Sequence, residues 1–486
     1  MSVALVARRE ERLTPLERLE QLCDPGSLQL RRTGVRSRRM GVKARAGDGV
    51  LGASGRVDGR AVAVFAQDAS FAGGSLGEAH ADTVVEVLQL AGRARIPVIG
   101  FVESAGARMQ EGLAALAGYG RIFRHHVALS GHVPQISVIC GPSAGGGAYA
   151  PALTDFVIMA EQASMFLTGP GVVAKAMGEA VDSAELGGPR VHERNGVCDL
   201  VAKSEVDAAF LARDLLDHLP QHAGAPATQW PVVAVPGHSP DQSVPLEERK
   251  VYDVRDVART LVDGGSLLEI SPRFARNVVC GFARIEGRSI GIVANQPRHL
   301  GGVLDSGASQ KAARFVHTCD MFGVPLLALV DTPGFLPGVK QERSGVIRHG
   351  AELVHAFAGC QVPRVTVVLR KGFGGAVIAM NSKQLGADLV LAWPQAQLGV
   401  MGARQAVEIV HRREIAAASD GPHLRDALAS SYAGEHLTAA AAAAEGFVDE
   451  VIAPSETRGR VASALATLQT AAWRPRRKAA WRNELD

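Results

Sequence analysis

Two long stretches of the chain repeat one another at an offset of 228 or 229 residues, and this duplication constrains the fold more than any single motif does. At the shorter offset, Asp58-Gly59-Arg60 recurs as Glu286-Gly287-Arg288, Gly73-Gly74 as Gly301-Gly302, Pro97 as Pro325, and Val102-Glu103-Ser104-Ala105-Gly106 as Val330-Asp331-Thr332-Pro333-Gly334. At the longer one, Pro134 falls on Pro363, Gly145 on Gly374 and Gly146 on Gly375. Further on the offset widens: Asp155 answers Asp388, and Gly196-Val197-Cys198-Asp199 answers Gly446-Phe447-Val448-Asp449. Loops absorb drift of this kind. The repeat far exceeds the roughly 20 to 50 residues of a solenoid unit, so each copy is expected to be a domain with its own core.

The expected organisation is an N-terminal domain over 1–222, a linker over 223–247 and a C-terminal domain over 248–486. The linker stretch carries Pro226, Pro231, Pro236, Pro240 and Pro245 with little periodicity. Within each copy, short Val/Ile/Leu runs alternate with longer helical patterns such as 81–95 and 309–322, which is an α/β signature. Asp58-Gly59 reads as the two-residue turn of a hairpin over 50–66, and 278–294 reads as its counterpart. A leading helix is expected over 1–22, with Thr14-Pro15-Leu16-Glu17 fitting a capping box and a proline at the first helical position.

The segment with the most chemical content is Ile136 to Cys140 followed by Gly141-Pro142-Ser143-Ala144-Gly145-Gly146-Gly147-Ala148-Tyr149-Ala150-Pro151. It spells strand, glycine turn, helix start. Unpaired amides at a helix start have the positive end of the helix dipole behind them, and glycine lets a ligand approach the backbone closely. The design returns as Val365 to Leu369 followed by Arg370-Lys371-Gly372-Phe373-Gly374-Gly375-Ala376-Val377. Structural packing alone accounts for one such turn; its recurrence with the same strand before and helix after points to two anion-stabilising sites.

Other chemistries are poorly supplied. Asp331-Thr332-Pro333-Gly334 imitates the metal-binding turn of a GTPase, but no Gly-x-x-x-x-Gly-Lys-Ser/Thr phosphate loop accompanies it. As the counterpart of Glu103, Asp331 is expected to line the same crevice. No catalytic triad and no metal-ligand spacing is evident, so no metal is expected. Six scattered cysteines without a Cys-x-x-Cys pair indicate reduced, structural thiols. A net charge of +3 gives no case for nucleic acid, and the absence of a long apolar run gives none for a membrane; a cytoplasmic location is expected. Locally, Arg31, Arg32, Arg36, Arg38, Arg39, Lys43 and Arg45 form a cationic segment, either a solvated loop or one that faces phosphates.

Taken together, these residues resemble the carboxyltransferase (β) subunit of biotin-dependent acyl-CoA carboxylases, of the propionyl-CoA and acetyl-CoA carboxylase type. The blocks that carry the resemblance are Val-Ala-Val-Phe-Ala-Gln-Asp (62–68), Gly-Ala-Arg-Met-Gln-Glu-Gly (106–112), the glycine turn at 141–151, Gly-Ile-Val-Ala-Asn-Gln-Pro (291–297), Val-Asp-Thr-Pro-Gly-Phe-Leu-Pro-Gly (330–338) and Leu-Ala-Trp-Pro-Gln-Ala-Gln-Leu-Gly-Val-Met-Gly-Ala (391–403). The resemblance implies two tandem crotonase-like domains. The first would hold acyl-CoA, and the second, from a neighbouring subunit, would hold carboxybiotin, within a homo-oligomer that is usually a hexamer. It further implies that Gly145 and Gly146 supply amides to the thioester oxygen as it becomes an enolate, and Gly375 and Ala376 to the biotin ureido oxygen. Arg36, Arg38 and Arg39 become candidates for the CoA phosphates, and Val377 and Ile378 for the wall that sets acyl-chain preference. No biotinylation site or ATP-grasp pattern occurs, so a separate biotin carboxylase and biotin carrier (α) subunit is expected as partner. A biotin-dependent decarboxylase and an inactive scaffold subunit are the alternative readings. The chain departs from the usual pattern at Ala105, at Val377 and at Cys198-Asp199.

Overall fold

The structure, a computed structural model, describes residues 12–226, 228–235, 237–247 and 250–468. The chain divides into two compact units at Pro226. Of the expected leading helix, residues 1–11 lie outside the described residues; Pro15–Leu22 is helical, with Thr14 and Glu17 closing the capping box reciprocally.

Each unit is built on an eight-stranded mixed sheet with the same strand order. In the first, the order is Gln29–Arg31, Val50–Val57, Arg60–Gln67, Val98–Ser104, Gln135–Ala144, Phe156–Ala160, Leu200–Ala202, with Ser164–Phe166 beside the far end of Gln135–Ala144. In the second it is Leu268–Ile270, Val278–Ile285, Arg288–Asn295, Leu326–Thr332, Arg364–Phe373, Leu389–Ala392, Glu450–Val451, with Gln397–Gly399 in the added place. The first three strands of each sheet are antiparallel and the rest parallel.

The hairpins turn where the sequence indicates: Asp58 and Gly59, and likewise Glu286 and Gly287, all have positive φ, as a two-residue turn matched to strand twist requires. Helices Glu78–Ala94 and Ser306–Phe322 follow the hairpins, and Leu113–Leu129 and Val346–Gly359 follow the fourth strands. Burial in each unit centres on Val, Ile, Leu and Ala at these sheet and helix faces.

The repeated aspartates have a shared backbone task. Asp155 and Asp388 accept the N–H of Gln135 and Arg364 at 2.9 and 2.7 Å, and Asp199 and Asp449 accept that of Val157 and Val390 at 2.9 and 2.8 Å. Each carboxylate satisfies a donor at the start of a parallel strand that the ladder leaves over.

The proline-rich stretch from 228 on packs on the second unit's hairpin. Trp230 donates its backbone N–H to Gly287 O at 2.9 Å, and the Arg284 guanidinium lies 4.8 Å from the Trp230 ring centroid. All six cysteines are buried and free. Among the described residues, no helix is long and apolar enough to cross a membrane, and no cluster of His, Cys, Asp and Glu is arranged to hold a metal ion.

Candidate active site

The two glycine turns occupy the same place in their sheets, between the fifth strand and a short helix, Gly146–Ala152 in one unit and Gly374–Ala379 in the other. Gly145 and Gly374 have φ of +58° and +62°, a region that disfavours a side chain, so glycine is required there by the backbone itself.

The amides then divide unequally. Gly145 donates its N–H to Phe166 O at 3.1 Å, extending the ladder with Ser164–Phe166, so it is committed within the sheet. The amides of Gly146 and Gly147 have no acceptor among the described residues, as befits a helix's first turn. Gly375 and Ala376 stand at the corresponding helix start. Of the expected pair Gly145 and Gly146, only Gly146 keeps its amide unspent, and Gly147 beside it does too; at the offset of 229 these two answer Gly375 and Ala376. That correspondence is written in the sequence, whereas the commitment of the Gly145 amide to Phe166 is not.

What frames the two turns differs. A β-carbon placed on Gly146 would lie 2.5 Å from ring atoms of the buried Tyr119, whereas one on Gly375 would meet nothing closer than the Phe335 ring at 3.8 Å. Tyr119 is held at its hydroxyl by Ser104 Oγ at 3.2 Å, and burial raises its pKa.

Glu103 and Asp331 do not line a crevice as expected. Each sits where the ladder between the fourth and fifth strands slips register, and both are buried, at 3% and 0% exposure. Glu103 pairs with Arg18 at 2.8 Å and Arg12 at 2.9 Å, and Arg18 reaches on to Glu205 at 2.8 Å. Asp331 pairs with Arg370 at 3.1 Å, accepts the Tyr252 hydroxyl at 2.9 Å and accepts the Lys371 N–H at 3.2 Å. Burial pushes the Asp331 carboxyl upward against the opposing pull of Arg370, and burial beside Asp331 pushes the Tyr252 phenol well up. Both carboxylates are buried anchors behind the turns. Neither arginine–carboxylate arrangement was legible in the sequence.

Arg108, within the block 106–112, is likewise internal: it is buried and bridges Asp48 at 2.6 Å and Glu111 at 2.9 Å. Ser37 donates its hydroxyl to Glu111 at 2.8 Å, which ties the basic segment to that cluster. Along the segment, Arg39 pairs with Glu78 at 3.2 Å, Arg45 with Asp68 at 3.2 Å, and Arg36 reaches Ala44 O at 3.0 Å; Arg38 is exposed and has no ion-pair partner among the described residues. Beside the second turn, Ile378 is half exposed, whereas Val377 is partly buried and its Cγ2 fills the space over Gly372. Of the two, Ile378 is the side chain that faces outward.

The helix carrying His125 and His126 is internal at His126, whose Nδ1 lies 2.8 Å from Gln135 Oε1; burial lowers its pKa to about 4. His80 is fully buried, and burial together with nearby Arg108 lowers its pKa to about 3. Neither is placed as a general base at the glycine turns.

The carboxyl transferase domain family matches residues 7–483. The propionyl-CoA carboxylase beta chain of Saccharopolyspora erythraea is 47% identical over 476 residues, covering 94% of this chain and 87% of that one. The methylmalonyl-CoA carboxyltransferase 12S subunit of Propionibacterium freudenreichii is 45% identical over 470 residues, covering 94% and 88%. Among solved structures, transcarboxylase 12S, a hexamer crystallised with methylmalonyl-CoA and methylmalonic acid, superimposes with a TM-score of 0.93 at 44% identity, covering 98% of this chain and 93% of that one.

Proposed function

The chain belongs to the carboxyl transferase family, and we propose that within it the protein moves a carboxyl group between biotin and the α-carbon of a short acyl-CoA of the propionyl type. Each unit is read as a crotonase-like domain, with acyl-CoA held by the first and biotin by the second. The observation that carries this reading is the pair of matched amide sites, Gly146 with Gly147 and Gly375 with Ala376, at equivalent places in two sheets of identical strand order.

Removing a proton from an acyl-CoA α-carbon puts negative charge on the thioester oxygen. Two preorganised N–H donors at a helix start stabilise that charge without needing to reorient, a contribution of about 3 kcal/mol for one such donor. Gly146 and Gly147 are assigned this task. Around Gly375 the space is open, which fits the approach of a planar ureido group to the Gly375 and Ala376 amides. Carboxybiotin, when bound, supplies the activated carboxyl group. The basic segment with Arg36, Arg38 and Arg39 is assigned to the CoA phosphates, and Ile378 to the acyl-chain wall. A biotin-bearing α subunit and a homo-oligomer, six subunits as in the transcarboxylase, complete the proposed assembly.

The test is incorporation of labelled bicarbonate into a panel of acyl-CoAs. The chain with ATP and a biotinylated partner is expected to label propionyl-CoA, and the chain alone to label nothing. Labelling by the chain alone would refute the need for a partner, and no labelling of any acyl-CoA in the complete system would refute the carboxylase direction.

A further inference from the structure

Gly146 is not among the glycines with positive φ, so its backbone would accept a side chain. What forbids one is Tyr119: a β-carbon at 146 would lie 2.5 Å from the ring's Cγ and Cδ1 and 2.7 Å from Cδ2. The ring therefore rests directly on the peptide whose amide is unpaired.

Tyr119 has little freedom to move away. It is 5% exposed on the helix Leu113–Leu129, and its neighbour Phe123 lies with ring centroids 5.9 Å apart. Gly118 brings that helix close to Glu78–Ala94, where a β-carbon would lie 2.7 Å from Ala81 Cβ. The hydroxyl end is fixed by Ser104 Oγ at 3.2 Å, which also accepts the Gly106 N–H at 3.2 Å. Ser104 is in turn the cross-strand partner of Ser143, three residues before Gly146. The ring is wedged between the end of one strand and the turn that leaves the next.

We propose that Tyr119 is a positioning residue for the acyl-CoA side of the reaction: its ring sets the orientation of the Gly146–Gly147 amides towards the thioester oxygen. The inference rests on the assignment of those amides given above. The second unit has no such wedge, since the Phe335 ring stands off Gly375 at ordinary contact distance.

The experiment uses the full chain and the half-reaction from methylmalonyl-CoA to free biotin, with thermal melting as the check on folding. Tyr119→Leu is expected to lower kcat by at least about tenfold with KM for the acyl-CoA within about twofold, because the amides act on charge that develops only in the transition state. Tyr119→Phe, which keeps the ring, is expected to recover most of that loss. Gly146→Ala is expected to lower kcat by about a hundredfold, as displacements near 1 Å do, and Gly146→Ala combined with Tyr119→Leu to regain about tenfold of it. Tyr119→Met replaces the leucine variant throughout if the latter does not fold.

Wild-type kcat in Gly146→Ala would overturn the amide assignment and this inference with it. A low kcat in Gly146→Ala that the second substitution does not relieve in a folded protein would leave the amide assignment standing and overturn the role of Tyr119. Unchanged kcat in Tyr119→Leu, or a loss confined to KM, would do the same.

Discussion

The two units share a sheet and a glycine turn but anchor the carboxylate behind the turn in opposite ways. In the second unit Arg370 comes from the turn's own strand, meets Asp331, and collects the carbonyls of Pro245, Glu247 and Lys250 at 3.3, 3.1 and 2.8 Å. In the first unit the position equivalent to Arg370 is Gly141. A β-carbon there would lie 2.3 Å from Glu103 Oε1 and 2.7 Å from an Arg12 nitrogen, so the space is already filled by side chains from elsewhere in the chain. Glu103 draws its partners from the N-terminal segment, and one of them, Arg18, is shared with Glu205. Amide donors are backbone groups and survive any change of side chain that leaves the turn intact; the buried charges that support the turn are free to diverge provided each stays paired.

The two units should differ most at their anchoring arginines. Arg18→Met leaves Glu205 without its bidentate partner and Glu103 with Arg12 alone, and is expected to destabilise the protein by about 3–5 kcal/mol, as breaking a buried pair does. Arg370→Met is expected to cost less, about 1–3 kcal/mol, because Asp331 already has a raised pKa, keeps the Tyr252 hydroxyl and can take up a proton. Urea titrations of the two variants check this; equal losses would mean that the two anchors are energetically equivalent.

Acid should separate the units next. His80 and His126 both belong to the first unit, with pKa values lowered by burial to about 3 and about 4 from the ordinary 6.5. The unfolded chain takes protons on these groups that the folded chain refuses, so stability is present above pH 6.5 and is lost as pH falls towards the folded values. At pH 5 each histidine is expected to remove about 2 kcal/mol. Hydrogen exchange at pH 7 and pH 5 should show the strands of the first unit losing protection ahead of those of the second, and simultaneous loss would count against the asymmetry.

The smallest effect is expected at the basic segment. Replacing Arg36, Arg38 and Arg39 with alanine should raise KM for acyl-CoA about tenfold with kcat nearly unchanged, the mark of lost uniform binding. These side chains are exposed, and two of them already have partners in Glu78 and Ala44. An unchanged KM in steady-state kinetics would identify the segment as a solvated loop.

The legible parts of this molecule are those written in contiguous residues. Asp58-Gly59 and Glu286-Gly287 turn because the hairpin demands positive φ at both positions, and Thr14 and Glu17 cap a helix that starts between them. The repeat spacing placed the glycine turns at equivalent points of two sheets because equal spacing through equal elements leaves little other choice. By contrast, Arg18 meets Glu103 across 85 residues and Glu205 across 187, and nothing local in those stretches marks the meeting. Even Asp331, singled out by its motif, could not be told from a crevice residue until Arg370 and Tyr252 were seen around it.

The sequence by itself determined the duplication, the α/β alternation, the two glycine turns and the family, since all of these rest on residue type and spacing along one dimension. Which amides are available was decided only by the tertiary structure. Gly145, Gly146 and Gly147 are the same residue in succession, and their difference arises from what reaches them: the Phe166 carbonyl takes the first amide, the Tyr119 ring rests on the second residue, and the third has Ser104 beside it. A run of three glycines has no side chains to record those neighbours. The close approach that makes the site is the reason its details are absent from the chain's own lettering.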